Sequence, residues 1–389
     1  MFMNRILKKR KIAFVVAIPR TATAFLMDHI AALQALYEVH LICNFPDEES
    51  KKDFESKGII CHYAPILRNI NLIGDFKGLF TLRKLFRKEN FECVHSVTPK
   101  AGLLTAYAGW LAHVPHRVHI FTGQVWATRK GAMRMLLKMM DKMVALLDTN
   151  LLVDGEGQRQ YLIKNGILSE KNSSVPANGS IAGIKLDRYV ISDEVRREER
   201  NRLGLSDDKV VYIFLGRLNH DKGIGEIYAA FNRLVTECPK AVLLFYGMDE
   251  EGYDAMAENY PNIKRGENFF FPGLTKTPFK ALQAGDVFVL PTWREGFGVS
   301  VLEAQALGLP VITSDAYGVV DASVPNETGL RCGVNDPEGL YLCMKQYYDC
   351  PEMRKTHGRN GRKRVEEKFD NQIVSSAWLD FYQKLFEEK

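Results

Sequence analysis

Short apolar runs separated by longer amphipathic stretches recur along the whole 389-residue chain. The runs are continuous in Val, Ile, Leu and Phe, which is typical of parallel strands covered on both faces. They occupy residues 11–18, 38–43, 58–63, 91–97, 116–121 and 150–154 in the first half, and 209–216, 240–247, 286–291 and 309–314 in the second. Helix-length segments between them include 23–37, 74–90, 100–112 and 130–148. The pattern predicts an α/β fold in which strands and helices alternate.

The alternation occurs twice, and a stretch of different character separates the two series. ANGSIAG (177–183) is rich in turn-forming residues, and the charged residues 192–208 follow it. A domain usually holds about 100–200 residues, so the length also favours two domains. We predict two Rossmann-like domains with doubly wound parallel sheets, 1–190 and 191–371. The last residues, 369–389, have the pattern of an amphipathic helix.

The composition, 46% hydrophobic and 25% charged, is that of a globular protein. Seven cysteines without a C-x-x-C pair argue against a zinc site or a disulfide framework and favour a reducing cytoplasm. Basic residues precede the apolar run 12–18 as in a signal peptide. The run is too short to span a membrane, and Pro19 and Arg20 follow it instead of a cleavage pattern. We interpret it as a buried first strand.

The formal net charge of +5 conceals a difference between the two halves. Residues 1–190 hold 27 basic and 16 acidic side chains, a balance of +11, and the remainder holds 25 and 31, a balance of −6. The first half is therefore expected to face an anionic partner. Nucleic acid, a membrane surface and a phosphorylated substrate all fit this charge.

Two common nucleotide-binding motifs are missing from the sequence. PRTATAF (19–25) follows the first strand where dinucleotide-binding enzymes carry G-x-G-x-x-G, and the chain has no Walker A sequence. Their absence argues against an NAD-dependent dehydrogenase, an ATPase and a P-loop kinase.

The segment PTWREGFGVSVLEAQALGLPVITSD (291–315) follows a predicted strand. Its glycines, Gly296 and Gly298, allow a ligand to approach the backbone, and a helix is expected to begin near Ser300. The first N–H groups of a helix form a ready site for an anion. Glu295 and Glu303 are expected to face one cleft. In the alternative interpretation Ser300 and Glu303 form a capping box, and Glu303 only caps its own helix.

A second polar loop, FLGRLNHDKG (214–223), also follows a predicted strand. It places Arg217 and Lys222 at the carboxyl edge of the sheet, where open α/β sheets bind ligands. Two cations at this spacing suit two oxygens of a diphosphate. A solvated basic loop is the alternative, and the nearby E-G-F-G segment argues against it.

Together, G-R-x(4)-K-G and E-G-F-G-x-S-x-x-E-A-x-A-x-G-x-P-V resemble the motifs of glycosyltransferase family 4, whose members are retaining enzymes of GT-B fold. The first half adds TPKAGLL (98–104), HRVHIFTGQ (116–124) and LLVDGEGQ (151–158), so the resemblance covers nearly the whole chain. It implies two Rossmann-like domains facing across a cleft, with the helix at 372–389 packing back on the first domain. It also implies a nucleotide-sugar donor, for which UDP is the commonest carrier in the family.

The resemblance also implies roles for individual residues. Arg217 and Lys222 would hold the nucleotide diphosphate and stabilise it as the leaving group, and Glu303 would bind the ribose hydroxyls. Glu295 would hold the donor sugar and the distal phosphate with the backbone of four residues, Gly296, Phe297, Gly298 and Val299. Further contacts to the substrates are expected at Gly216 and, for the nucleobase, at Gly273 and Leu274.

In the first half, the resemblance places Thr122 near the sugar, where many members carry a histidine. His119 lies close by in sequence, and we interpret it as a core or hydrogen-bonded histidine. Lys100 is expected to meet an acceptor phosphate. The chain contains no D-x-D motif, so Arg217 and Lys222 would replace the metal that some glycosyltransferases use. We therefore expect no metal and no cofactor, and activity that survives EDTA.

The segment 129–148 has an unusual composition. Its polar residues fall on about one third of the helix surface, and methionines and leucines fill the rest. The polar stripe consists of Lys130, Arg134, Lys138, Asp141 and Lys142. Such a helix is either an interfacial helix at a membrane or a domain helix with a solvated basic edge. KKRK (8–11) adds charge to the same half.

These features predict a retaining glycosyltransferase, peripheral on the inner face of the cytoplasmic membrane. Its acceptor would be a polyprenyl-diphosphate-linked saccharide of O-antigen or capsule assembly. Alternatives are a nucleotide-sugar epimerase of GT-B fold and a glycosyltransferase with a soluble acceptor. A nucleic-acid binder is disfavoured, because the basic half lacks an aromatic-interleaved patch and Glu295 and Glu303 would have no purpose.

Overall fold

The computed structural model describes residues 9–67 and 71–387. These divide into two compact units: residues up to Ala182 together with those from Gln372 onward form the first, and Gly183–Asn371 form the second. The boundary expected at residue 190 therefore lies too late. Residues 183–190 belong to the second unit because Ile184 exchanges backbone hydrogen bonds with Phe369 and Asn371, at 2.8 and 2.9 Å. Residues 1–8 of the first expected domain, including Lys8 of KKRK, and 388–389 of the expected final helix lie outside the described residues.

A sheet of seven parallel strands forms the centre of the first unit, in the order β3-β2-β1-β4-β5-β6-β7. The strands are β1 (Lys11–Val15), β2 (Glu38–Cys43), β3 (Ile60–Tyr63), β4 (Cys93–Val97), β5 (His116–Phe121), β6 (Asn150–Val153) and β7 (Ser173–Ser174). The first six coincide with the expected apolar runs, although β1 ends earlier than residue 18. The two-residue edge strand β7 was not expected, because two serines carry no apolar signal.

Within the described residues, seven α-helices connect these strands. They are α1 (Pro19–Phe25), α2 (Met27–Gln34), α3 (Glu48–Glu55), α4 (Leu72–Glu89), α5 (Pro99–Ala112), α6 (Gly131–Leu147) and α7 (Glu156–Lys164). The single segment expected at 23–37 is two helices. The first begins at Pro19, whose ring presets a helical φ and lacks the N–H that would have no partner there. Leu26 separates the two helices with φ −115° and ψ −14°.

The second unit has a sheet of six parallel strands in the order β10-β9-β8-β11-β12-β13. The strands are β8 (Val210–Leu215), β9 (Ala241–Tyr246), β10 (Phe269–Gly273), β11 (Val287–Leu290), β12 (Val311–Ser314) and β13 (Gly329–Cys332). The two edge strands, β10 and β13, were not expected. Pro272 in β10 and Arg331 in β13 are tolerated because an edge strand is paired and covered on fewer sides.

The helices of this unit are α8 (Asp193–Arg202), α9 (Ile224–Glu237), α10 (Tyr253–Met256), α11 (Pro278–Ala281), α12 (Val299–Ala306), α13 (Pro337–Asp349) and α14 (Pro351–Lys368). Strand order reverses beside β8, which has β9 on one side and β11 on the other. The carboxyl ends of strands at such a switch point are the usual ligand site of an open α/β sheet.

The last helix, α15 (Asn371–Glu387), completes the core of the first unit. Val374, Trp378, Tyr382 and Leu385 are buried on one face of it, at helical spacing. They pack in the same cluster as Phe14 and other residues of β1, β2 and α2. Among the described residues, none of the helices is long and apolar enough to cross a membrane.

Candidate functional site

Two loops meet at the carboxyl edge of the second sheet, one after β8 (216–223) and one after β11 (291–298). The strands are neighbours, so both loops leave the sheet side by side. The Thr292 hydroxyl and the Trp293 N–H both donate to the carbonyl oxygen of Asp221, at 2.6 and 2.8 Å. Arg294 forms an ion pair with the Asp221 carboxylate at 2.6 Å. The two sequence motifs therefore form one surface.

Lys222 and Glu295 face each other across these loops. The Lys222 ammonium donates to Glu295 Oε2, and the two side chains are only 16% and 18% exposed. The glycine after Lys222 is required by close packing: Gly223 has φ +71°, and a Cβ there would lie 2.2 Å from the carbonyl oxygen of Pro291. The backbone contact brings the cation and the carboxylate together in a sheltered position.

Arg217 lies at the same edge but is more open to solvent, with 44% of its side chain exposed. Its guanidinium donates to both carboxylate oxygens of Glu250, at 3.1 and 2.7 Å. Asn219 donates to the same carboxylate at 2.8 Å. Glu250 follows β9 and was missed by sequence reasoning, because a glutamate in a polar loop carries no local signal. The N–H of Gly216, next to Arg217, donates a hydrogen bond to the carbonyl oxygen of Tyr246 at 3.0 Å.

The turn from Gly296 to Val299 leads directly into α12. Gly298 is the N-cap with φ +97°, and the helix begins at Val299, beside the expected Ser300. The Phe297 side chain is buried and packs against Phe369 with ring centroids 5.5 Å apart. Only the backbone of Phe297 is therefore available to a ligand. The first N–H groups of an α-helix have no partner of the usual i−4 kind within the helix, and the positive end of the helix dipole lies there.

Glu303 does not cap its own helix, so the capping-box interpretation is wrong. Ser300 lies inside α12 and makes no capping hydrogen bond, and Glu303 lies beyond the first turn. The Glu303 carboxylate accepts a hydrogen bond from the hydroxyl of Tyr189, a residue that sequence reasoning missed. Burial raises the pKa of Glu303, and the hydrogen bond from Tyr189 opposes this rise.

Gly273 is the last residue of β10, and Leu274 follows it. β10 lies two strands away from β8 along the same edge of the sheet. Gly273 has φ +84° and its carbonyl oxygen accepts a hydrogen bond from the Gly247 N–H at 2.9 Å. Leu274 is exposed. The edge is therefore continuous from the end of β10 through β9 to Gly216 and Arg217.

The two expected residues of the first half, Lys100 and Thr122, lie in the first unit. Lys100, in the first turn of α5, pairs with Asp75 at 2.6 Å. Thr98, just before this helix, has φ +78°, a strained value for a β-branched residue. Thr122 follows β5 and is half-buried. His119 is buried with its Nδ1 2.8 Å from the Ser96 hydroxyl, and burial lowers its pKa to about 3, which confirms a core histidine.

The polar stripe of helix α6 is partly packed on the domain. Asp141 is buried, accepts a hydrogen bond from Trp126 Nε1 at 2.7 Å, and has its pKa raised to about 6 by burial. Arg134 and Lys138 lie over the Trp126 ring, with their cationic groups 5.8 and 5.5 Å from its centroid. Asp141, Arg134 and Lys138 therefore contact the rest of the domain, Val144 is buried in its core, and several other apolar residues of α6 are exposed to solvent. Exposed among them are Met133, Met135, Leu136, Met139 and Leu146.

Helix α4 presents a second exposed apolar surface, which sequence reasoning did not identify. Leu72, Ile73, Phe76 and Phe80 are all exposed, Ile73 to 85%. Their spacing of three and four residues predicts an apolar face on the helix. It does not distinguish an exposed face from one that packs on the sheet. Both α4 and α6 pack against α5.

Comparison with known proteins agrees with this architecture. Residues 195–364 match the family model "Glycosyl transferases group 1", and residues 21–177 match "Glycosyl transferase 4-like domain". The capsular polysaccharide biosynthesis glycosyltransferase CapM of Staphylococcus aureus is 30% identical over 351 residues, covering 90% of this chain and 91% of CapM. The UDP-Gal:alpha-D-GlcNAc-diphosphoundecaprenol alpha-1,3-galactosyltransferase of Escherichia coli is 30% identical and covers 80% of each chain.

Solved structures show the same fold at low sequence identity. Anabaena HepE, crystallised with UDP and glucose, superposes with a TM-score of 0.79 at 16% identity, over 97% of this chain and 99% of HepE. The two parallel-sheet units thus form a GT-B fold. With both family models matched and a relative similar over nine tenths of its length, the chain belongs to the glycosyl transferases group 1, glycosyltransferase family 4.

Proposed function

We propose that this protein is a retaining glycosyltransferase that moves a hexose or N-acetylhexosamine from a nucleotide sugar, a UDP-sugar, to a lipid-linked saccharide during capsule or O-antigen assembly. One observation carries the proposal: Lys222, Arg217, Glu295 and the start of α12 converge at one edge of the second sheet. A diphosphate needs cations and N–H donors, and the hydroxyls of a sugar need a carboxylate beside them.

The reaction forms a bond between an acceptor oxygen and the anomeric carbon, and breaks the bond from that carbon to the diphosphate. Negative charge grows on the diphosphate as it leaves, and the proton of the acceptor hydroxyl passes to it. Lys222, Arg217 and the N–H groups at Gly298 and Val299 would stabilise this charge. They supply the positive charge themselves, so the proposal includes no metal and no cofactor.

Glu295 and Glu303 would bind the two ends of the donor. Glu295 would accept hydrogen bonds from the sugar, and Glu303 from the ribose, with the nucleobase near Leu274. In the first unit, Lys100 would contact an acceptor phosphate, and Thr122 would contact the sugar. The strained Thr98 beside Lys100 supports a functional loop there, since such strain concentrates at binding sites.

The acceptor would be a saccharide on polyprenyl diphosphate, with the enzyme peripheral on the cytoplasmic face of the membrane. The name of the Escherichia coli relative describes such an acceptor. The exposed apolar faces of α4 and α6 suit the boundary between head groups and acyl chains. Both helices also carry exposed cations for anionic lipid: Lys77, Lys84, Arg87 and Lys88 on α4, and Arg134 and Lys142 on α6.

The test is a screen of nucleotide sugars against a synthetic lipid-diphosphate saccharide, with the anomer of the product assigned by NMR. The expected product has the anomeric configuration of the donor and forms only when the acceptor is present. An inverted anomer contradicts the retaining mechanism. Conversion of the donor sugar without an acceptor would instead support the epimerase alternative. The same assay should lose turnover in a Lys222→Met variant. Lys363→Met, which replaces an exposed lysine of α14, is the control for that variant.

A further inference from the structure

Tyr189 touches the proposed nucleotide site although it lies 114 positions before Glu303 in the chain. Its side chain is buried, and its hydroxyl donates to Glu303 Oε1. Among the described residues, Tyr189 is the one side chain that donates a hydrogen bond to this carboxylate. The second oxygen, Oε2, is thereby left for another partner.

Tyr189 is held both by its backbone and by its ring. Its backbone carbonyl accepts a hydrogen bond from Arg362 at 2.7 Å, and the same guanidinium nitrogen donates to the carbonyl of Ala306 at the end of α12. The ring packs edge-on against Phe279, with centroids 6.2 Å apart. One arginine therefore ties Tyr189 to the helix that carries Glu303, and the hydroxyl has a fixed direction.

We infer that Tyr189 is a positioning residue of the nucleotide site, whose hydroxyl orients the Glu303 carboxylate toward the vicinal hydroxyls of a ribose. The inference rests on the proposed function, because it requires a nucleotide at this edge. One carboxylate binds two adjacent hydroxyls well only if the carboxylate is held in one orientation. The hydrogen bond from Tyr189 to Oε1 restricts the rotation of the Glu303 carboxylate.

The hydroxyl also affects the charge of the carboxylate. Burial raises the pKa of Glu303 and the Tyr189 hydrogen bond lowers it, so loss of the hydroxyl raises the pKa further. The charged groups packed around the pair are Arg188, beside Tyr189, and Arg362 of α14, and arginine stays protonated in proteins. A pH dependence that appears on removing the hydroxyl therefore belongs to Glu303.

The test compares Tyr189→Phe with the wild type in the binding of UDP and 2′-deoxy-UDP, by calorimetry from pH 6.5 to 9. Tyr347→Phe is the matched control, since it removes a buried hydroxyl 2.8 Å from His357, outside the site. The wild type and the control are expected to prefer UDP by about tenfold, as for one hydrogen bond to a charged group. Tyr189→Phe is expected to lose most of this preference, and to lose least of it at the highest pH, where more of Glu303 is ionised.

Two results overturn the inference in distinguishable ways. If Tyr189→Phe keeps the wild-type ratio of UDP to 2′-deoxy-UDP affinity at every pH, or weakens both nucleotides equally, Tyr189 does not position Glu303. If the wild type binds neither nucleotide, the proposed function fails, and this role fails with it.

Discussion

The two cations of the proposed site should contribute unequally to turnover, because they differ in burial. Lys222 is 16% exposed and Arg217 is 44% exposed. A unit charge about 4 Å from the leaving diphosphate contributes roughly 4 kcal/mol where the effective dielectric constant is about 20, and roughly 1 kcal/mol where it approaches that of water. Lys222 matches the first case and Arg217 is closer to the second.

We therefore expect Lys222→Met to lower kcat by about 10³-fold and Arg217→Gln by about tenfold, since each 1.36 kcal/mol is a factor of ten. The assay measures UDP release with a saturating donor and the acceptor identified by the screen. Lys222→Arg keeps the charge and should retain most of the activity. Because Lys222→Met leaves Glu295 without its ammonium partner, thermal unfolding of each variant is recorded alongside.

The reasoning from burial is refuted if Arg217→Gln loses as much turnover as Lys222→Met while both variants unfold at the wild-type temperature. Rates near wild type for both variants would remove the pair from the site altogether.

Four other outcomes are expected. Turnover should be unchanged by EDTA, and complete loss that a divalent ion restores would contradict a metal-independent reaction. Replacing Lys130, at the N-cap of α6, and Arg134 and Lys138 within it with Glu should release the protein from anionic vesicles in a flotation assay. An unchanged fraction of vesicle-bound protein would remove the main support for membrane association. Both carboxylate oxygens of Asp148 are shielded from solvent and have no hydrogen-bond partner among the described residues, and burial raises the pKa of Asp148 to about 8. The folded state thus keeps a proton that the unfolded state loses above about pH 4, so the free energy of unfolding falls from pH 4 to 8. Asp148→Asn should therefore raise Tm by about 5 °C at pH 8 and little at pH 4. A difference in Tm that does not depend on pH would be inconsistent with this. Thr98→Gly should stabilise the protein by about 1 kcal/mol in urea unfolding by relieving its positive φ, and should raise the acceptor KM; a loss of stability would show that Thr98 is not strained.

In the second unit, the strands that sequence periodicity predicted are the central ones, β8, β9, β11 and β12. β8, β9 and β11 are apolar throughout, and β12 is fully buried although it ends in Thr313 and Ser314, as expected for strands covered on both faces. β10 and β13 contain a proline and an arginine, and their pairing is decided by the neighbouring strand rather than by their own composition. Three of the four edge strands, β7, β10 and β13, were therefore not identified from the local pattern, and only β3 was.

The site shows the same division between local and distant information. Arg217, Lys222 and Glu295 lie in short motifs whose glycines mark close approaches of the backbone. The two motifs therefore predict that the loops after β8 and β11 lie against each other. Glu250 and Tyr189 act on these motifs from 33 and 114 positions away. Such partners depend on which strands are neighbours and where a connecting segment packs, which no local spacing encodes.

The position of α15 has a consequence for how the protein is made. The first unit is discontinuous in sequence, because Trp378 and Tyr382 belong to the same core as Phe14. The second unit, Gly183–Asn371, is continuous and has all its residues once synthesis reaches Asn371. The first unit therefore cannot complete its core until α15 has been synthesised, whereas the second unit does not need α15 to complete its own core.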